Sequence, residues 1–293
     1  MEQPDSRTPV RRLIYLSIWV LLPLLLGLVL AVAFVPVPKV GVIRFDGVIW
    51  GGSIPYLGEM LDRVAQDRTI RAVVIEIDSP GGDVTATEEL HFRLLQLRQH
   101  KPLVVTIDYL AASGGYYMAA AGDYVYAKPA SLVGNVGVIS FLPPMDEQRF
   151  TDEDYVSTGP FKFSGGSRGD YVRQIELAKQ GFLEAVFVQR ADRIKVDRET
   201  LSSGEIFMGL QAVRMGLIDG LGANSEAVEM AAELAHLRDY RVENVNDIVY
   251  GDEMQETVWG GGDSISAILS ARDPAWRQRL YYLYLEPQKR RWW

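Results

Sequence analysis

A serine between two glycine-rich turns is the part of this chain most readily read as chemistry. Ala112-Ser113-Gly114-Gly115 follows an extended stretch and precedes a short helical one. That placement lets Ser113 present its Oγ at a helix start, where the Gly114 N–H and the helix dipole favour developing negative charge. A capping serine is the plainer account of the same pattern. Ser79-Pro80-Gly81-Gly82 is the other turn. Adjacent glycines let a substrate backbone come close, and their N–H groups suit an oxyanion hole. A simple strand-to-helix turn is the blander account of a lone Pro-Gly-Gly.

A serine nucleophile needs a base. The histidines His91, His100 and His236 fall in or at the end of predicted helices, with no partner at metal-ligand spacing. Packed or solvated histidine is the better reading for each. A lysine can serve if desolvation makes its neutral form accessible. Lys162 stands between Phe161 and Phe163, and its nearest acids in sequence are Asp154 and Asp170. Lys179 and Lys195 belong to charged helical stretches by comparison. The chain has no cysteine, which excludes disulfides, thiolate metal sites and cysteine nucleophiles. No metal or organic cofactor is implied.

The elements that must hold these residues alternate between strand and helix. Val40 to Ile49, Val73 to Ile77, Leu103 to Ile107, Tyr124 to Ala127, Val136 to Ile139 and Tyr155 to Ser157 read as strands. Thr85 to Arg98 reads as a helix with an apolar side at Leu90, Leu94, Leu95 and Leu97, opened by a capping box from Thr85 to Glu88. Tyr116 to Ala121 reads as a short helix and Tyr171 to about Arg193 as a long one. The order argues an α/β fold. Across 293 residues, 48% are hydrophobic and 23% charged, so disorder is excluded. A net charge of -8 argues against nucleic acid as a partner.

The turns also carry a resemblance. Ser79-Pro80-Gly81-Gly82, Ala111-Ala112-Ser113-Gly114-Gly115-Tyr116-Tyr117 and Gly134-Asn135-Val136-Gly137-Val138-Ile139 occur in that order. So do Ser157 to Lys162, Ser203-Gly204-Glu205 through Ala212, and Gly216 to Gly222. Together they resemble the signal peptide peptidase A family, serine peptidases of the Clp protease/crotonase superfamily. The likeness covers roughly residues 40–235 and a single peptidase unit, the short form of that family. It implies a fold of repeated β-β-α units, with Ser113 as nucleophile and Lys162 as general base. It implies an oxyanion hole from the backbone N–H groups of Gly81, Gly82 and Gly114. It further implies extended peptides as substrates, cleaved signal peptides among them, and a ring-like homo-oligomer, an octamer being one such closure. Relatives that cut stomatin-like membrane proteins fall under the same likeness. Asp78 and Asn135 depart from the family pattern, which bears on substrate preference. Two other classes remain: a non-catalytic oligomeric scaffold of the same fold, and an acyl-CoA enzyme of the crotonase type.

Leu13 to Val35 is a run of 23 residues without a charge, long enough as a helix to cross a bilayer. Arg7, Arg11 and Arg12 precede it, which places the N-terminus in the cytoplasm and the rest outside the cytoplasmic membrane. A cleaved signal peptide is the alternative, with Ala31-Val32-Ala33 as its cleavage site. The expected organisation is a cytoplasmic N-terminus over 1–12, a single-pass anchor over 13–35, a peptidase domain over 36–240 and an extension over 241–293. Within the extension, Pro274 to Trp293 holds five basic residues against one acid, interleaved with tryptophan and tyrosine. That composition suits the lipid headgroup region, or a tail packed against a neighbouring subunit.

Overall fold

The computed structural model describes residues 8–34, 36–140, 158–162, 165–251 and 280–283. The chain divides into two units, Met1–Pro38 and Lys39–Trp293. The first carries one helix, α1 (Thr8–Phe34), which continues through Pro23. Side chains are described for 15–30 of it, a stretch of roughly 24 Å against a hydrocarbon core of about 30 Å. Among the described residues no helix is long and apolar enough to cross a membrane.

The second unit is built on a sheet. It opens with β1 (Lys39–Asp46), α2 (Ser53–Gln66), β2 (Ile70–Ser79), β3 (Gly81–Asp83) and α3 (Val84–Arg98). β4 (Leu103–Ala112), α4 (Gly114–Ala119), β5 (Tyr124–Ala127), β6 (Leu132–Gly134) and β7 (Ile139–Ser140) follow. Then come α5 (Arg168–Arg190), α6 (Arg198–Leu201), β8 (Ile206–Met208), α7 (Gly209–Met215) and β9 (Gly220–Leu221). The last described elements are α8 (Asn224–Leu234), β10 (Arg241–Asn244), α9 (Val245–Tyr250) and β11 (Leu280–Leu283).

The main sheet runs β10-β1-β2-β4-β5-β9 with all pairings parallel, and β6 and β8 join it off that path. β4 serves two neighbours. Its first half pairs with β5 and its last three residues with β6. β2–β3–α3 is a β-β-α unit, and the fold is mixed α/β, as the alternation of elements implies.

Period-two alternation divides the core. Ile43, Phe45, Val73, Ile75, Ile77, Val105 and Ile107 face one side, against α2, α3, α4 and Phe182, Leu183 and Val186 of α5. Val40, Ala72, Val74 and Val104 face the other, against Ala227, Ala231 and Ala232 of α8. Alanines on α8 let the helix lie close to the sheet.

Several expectations shift. α2 is an amphipathic helix that the strand-centred reading passed over, although Leu57, Met60, Leu61 and Val64 have helical spacing and are buried. α3 begins at Val84, capped by the Asp83 side chain accepting from the Ala86 N–H, rather than by a box at Thr85. Gly134 and Asn135 take left-handed backbone conformations, which ends β6 before Val136, so the strand expected at Val136 to Ile139 shrinks to β7. Tyr155 to Ser157 lies outside the described residues.

The boundary at 240 also moves. β10 adds a parallel strand to β1, and Val245 at the start of α9 is fully buried, so the α/β body continues to Tyr250. In the basic-aromatic tail, Leu280–Leu283 is a strand of the body, antiparallel to both β3 and β7. The rest of Pro274 to Trp293 lies outside the described residues.

Candidate active site

The two glycine turns, with Gly81 and Gly114 33 residues apart in sequence, meet. Ser113 follows β4 directly and precedes the first turn of α4, with φ 52° and ψ −117°. A non-glycine residue in that conformation stores on the order of 1–3 kcal/mol of strain, and such residues cluster at functional sites. Two backbone hydrogen bonds hold it there. The Ser113 N–H donates to the Gly134 carbonyl at 2.8 Å, and the Tyr117 N–H donates to the Ser113 carbonyl at 2.9 Å.

The glycines on either side are required by close approach. A Cβ on Gly114 would sit 2.7 Å from Thr87 Oγ1 and 3.2 Å from both Gly81 Cα and the Gly82 nitrogen. One on Gly115 would lie 2.6 Å from the Ser79 carbonyl oxygen. One on Gly82 would strike the Ile49 carbonyl. α4 therefore starts in contact with the turn between β2 and β3.

Of the three N–H groups expected to form an oxyanion hole, that of Gly81 is committed elsewhere. It donates to Ser79 Oγ at 3.1 Å, and that hydroxyl in turn donates to the Gly47 carbonyl at 2.6 Å. Gly81 therefore leaves the donor set in this geometry. Gly114 lies beside Gly82, which in this structure is paired opposite Tyr282 of β11. The Gly114 N–H opens α4, where backbone N–H groups have no intrahelical acceptor.

Ser113 is 1% exposed, and its Oγ lies 3.5 Å from the Gly137 carbonyl, too long for a useful hydrogen bond. Lys162 is exposed in a turn in which its N–H donates to the Gly159 carbonyl. Phe161 is 50% exposed, and Phe163 lies outside the described residues. The expected desolvation between two aromatics is therefore not provided by the described part of this segment. Among the described residues no hydrogen bond joins Lys162 to Ser113.

The histidines fall where the bland reading puts them. His100 and His236 are exposed. His91 is buried, with its ring edge-on to Tyr117 at 4.7 Å. Its Nδ1 lies 2.9 Å from the Tyr117 carbonyl, and since a carbonyl only accepts, Nδ1 carries the proton. Burial, with a smaller contribution from Arg98, pushes the imidazole down to about 4 against the hydrogen bond to Tyr117. His91 is thus neutral in the folded state while it titrates near 6.5 in the unfolded chain. The unfolded chain binds the extra proton between those values, so His91 lowers stability as pH falls from about 6.5 to 4. The stability difference between wild type and His91→Phe is expected to move against wild type by up to a few kcal/mol over that range. Urea melts at pH 7 and pH 4.5 measure it, and a difference that stays constant with pH would exclude the neutral histidine.

The spacing of later motifs also finds a physical reason. Asn135, a departure noted above, has φ 56°, a conformation asparagine tolerates better than most residues. Its N–H donates to the Glu205 carbonyl at 2.8 Å and its Nδ2 to the Gly204 carbonyl at 2.7 Å. The Ser203-Gly204-Glu205 segment therefore buttresses the strand whose Gly134 carbonyl holds Ser113.

Sequence reading missed Arg190. It is 0% exposed and forms a bidentate pair with Asp219, both contacts at 2.8 Å, while its Nε donates to the Gly216 carbonyl. Beside it, the Tyr116 hydroxyl donates to the Leu217 carbonyl at 2.9 Å. The end of α5 and the Gly216–Asp219 turn are thereby fastened to α4.

A cleft of about 920 Å³ lies apart from this site, lined by Arg44, Asp46, Glu76, Asn224 and Asn246 among others. Asp46 is pushed up to about 6 by burial, with Asp78 and Asp108 adding to the rise and Arg44 opposing it. Neither Ser113 nor the glycine turns line this cleft, so the serine chemistry is not placed there.

Residues 95–238 match the model of peptidase family S49. The chain is 26% identical to Protease 4 of Haemophilus influenzae over 68% of its own length and 35% of that protein's. It is 30% identical to Protease 4 of Salmonella typhi over 62% of its own length and 31% of that protein's. It thus spans about a third of these curated relatives. A solved structure of a membrane-bound stomatin-specific protease, in mutant form, superposes with a TM-score of 0.46 at 15% identity, covering 67% of this chain and 86% of that one.

Proposed function

We propose, from the match of residues 95–238 to the model of peptidase family S49, that the chain is a serine endopeptidase with Ser113 as its nucleophile. One observation carries this reading: Ser113 sits in a strained turn directly before α4, with Gly114 packed against the Gly81-Gly82 turn. Ser113 Oγ attacks a peptide carbonyl while Lys162 Nζ takes its proton. The carbonyl oxygen, now negative, is held by the N–H groups of Gly82 and Gly114. Lys162 passes the proton to the leaving amine, the C–N bond breaks, and an acyl-enzyme remains on Ser113. Water then attacks the ester, with Lys162 accepting its proton, and the serine is regenerated.

Lys162 must lose solvent to act as a base at neutral pH. Movement of the 158–162 turn onto the site, or coverage by a neighbouring subunit, supplies that. The second route fits a homo-oligomer of ring type on a scaffold of the Clp protease/crotonase kind. The charge-free run from Leu13 to Val35, preceded by three arginines, supports an anchor in the cytoplasmic membrane with the peptidase unit outside. Substrates are extended peptides at that membrane, signal-peptide remnants among them.

A fluorophosphonate probe tests the reading directly. Wild type is expected to be labelled at Ser113, identified by mass spectrometry of the tryptic peptide. No labelling in folded protein would favour the non-catalytic scaffold instead.

A further inference from the structure

Ser79 is the last residue of β2 and is fully buried. Its hydroxyl is used twice. Oγ donates to the Gly47 carbonyl at 2.6 Å and accepts from the Gly81 N–H at 3.1 Å. Pro80, between them, has no N–H to compete for it. Gly81 takes φ 97°, a conformation costly to residues other than glycine, and the hydroxyl two residues back holds its peptide there. The 47–49 segment closes around the turn from one side. The Gly47 N–H donates to the Asp78 carbonyl, the Ile49 N–H to the Gly81 carbonyl and the Asp83 N–H to the Ile49 carbonyl, each at 2.8 Å. Successive N–H groups of an extended strand point to opposite edges. With Asp83 committed to Ile49, the Gly82 N–H points to the other edge, the one along which Tyr282 pairs. Ser79 also touches the helix that follows the nucleophile. A Cβ on Gly115 would sit 2.6 Å from the Ser79 carbonyl oxygen and 3.1 Å from the Ser79 Cβ. One buried residue thus meets the end of β1, the glycine turn and the start of α4.

We propose that Ser79 is the positioning residue of the oxyanion hole: its hydroxyl ties the Gly81 peptide to Gly47 and so sets the direction of the Gly82 N–H relative to that of Gly114. This role rests on the serine-peptidase reading of Ser113. Ser79 touches no reacting atom and acts through Gly81 and Gly82. The Gly81 N–H is withheld from the oxyanion because its bond to Oγ is what holds the next peptide in place. A donor misplaced by about 1 Å loses much of its hold on a developing negative charge. It loses little ground-state binding, because the charge is present only in the transition state and the tetrahedral adduct. Loss of the hydroxyl should therefore lower kcat and leave KM nearly unchanged.

The test compares the full chain with Ser79→Ala, Ser79→Cys and Ser79→Thr. The rest of the chain is the same in every form, so differences report position 79. Ser79→Ala is expected to lower kcat for a soluble peptide by about 10–100-fold, with KM within about twofold. A peptide aldehyde, whose adduct with Ser113 carries the oxyanion, should bind Ser79→Ala about tenfold or more less tightly than wild type. In a Ser113→Ala background the same peptide, now uncleaved, should bind equally with and without the Ser79 hydroxyl. Ser79→Thr keeps the hydroxyl and is expected to return kcat to within about threefold of wild type. Unchanged kcat and aldehyde affinity in folded Ser79→Ala would make the residue merely structural and overturn the proposal. So would a loss of uncleaved-peptide affinity as large as the loss of aldehyde affinity, since the whole cleft would then be disturbed. If Ser79→Ala fails to fold, Ser79→Cys, close in size but a far weaker hydrogen-bonding group, decides by the same measurements. Wild type that neither hydrolyses peptide nor binds the aldehyde removes the peptidase reading and the role of Ser79 with it. An active wild type matched by Ser79→Ala removes the role of Ser79 alone.

Discussion

Ser113→Ala is expected to lower kcat for peptide hydrolysis by at least about 10³-fold with no loss of thermal stability. The size follows from the role: a deleted serine nucleophile removes the covalent route entirely and leaves the binding and oxyanion contributions. Stability is spared because alanine keeps the same Cβ in the same strained backbone, and Ser113 Oγ makes no hydrogen bond of useful length to lose. Lys162→Ala is expected to match it, within about tenfold, because members of one catalytic unit are non-additive. The double variant should then be no slower than either single one. Single-turnover kinetics on purified protein checks all three, with thermal melts alongside. Multiplicative losses in the double variant would separate the two residues, and full activity in Lys162→Ala would remove the lysine base. Replacing His91, His100 and His236 together should leave a substantial rate, since none of the three is bonded to Ser113 among the described residues.

That contrast between Ser113 and Lys162 shows which parts of the site were legible in the sequence. Ser113, Gly114 and the Gly81-Gly82 turn were legible because their constraint is local. A strand that runs into a helix through a left-handed residue, with glycines where backbone meets backbone, leaves its mark in four consecutive letters. The fate of the Gly81 N–H was not legible, since it depends on which way the Ser79 hydroxyl turns. What covers Lys162 was not legible for a related reason. Phe161 and Phe163 flank it in sequence, but desolvation is decided by what packs over a side chain, and Phe161 faces largely outward. β11 was hidden for the opposite reason. Leu280-Tyr281-Tyr282-Leu283 has the composition of a strand, but the arginines and tryptophans around it made a membrane surface the more visible partner. Its real neighbours, Gly81–Asp83 and Ile139–Ser140, lie far away in the chain. The sheet order was readable in outline from its hydrophobic strands. The double partnership of β4 was not, because nothing in Leu103 to Ala112 marks where one neighbour gives way to the next.

Arg190 and Asp219 carry the largest expected effect on stability. Asp219→Asn is expected to destabilise the protein by about 3–5 kcal/mol, the range for removing one partner of a buried ion pair. The Arg190 guanidinium has no solvent to fall back on. Arg190→Met should cost less, because Asp219 keeps Arg193 at 2.9 Å and the Val125 N–H at 2.8 Å. The asymmetry is the informative part, since a pair contributing only through its mutual attraction would show equal losses. The pH dependence has a definite sign. Burial alone would raise the Asp219 carboxyl, but its hydrogen bonds and charge contact with Arg190, then Arg193 and the Val125 N–H, hold it below the usual value. A carboxyl depressed in the folded state gives stability that is complete above the unfolded value of about 3.9 and is lost as pH falls through the lower folded one. Wild type should therefore lose stability below pH 4 more steeply than Asp219→Asn, and urea melts between pH 7 and pH 2.5 should show the two converging. Parallel curves, or a loss under about 1 kcal/mol at pH 7, would mean that water reaches Arg190 and that the pair is not a clamp. The consequence reaches the candidate active site through Tyr116. Its hydroxyl is bonded to the Leu217 carbonyl in the same turn that Arg190 and Asp219 close. A folded Asp219→Asn protein should then show slower labelling of Ser113 by fluorophosphonate at pH 7, because α4 loses the anchor that fixes where Ser113 stands.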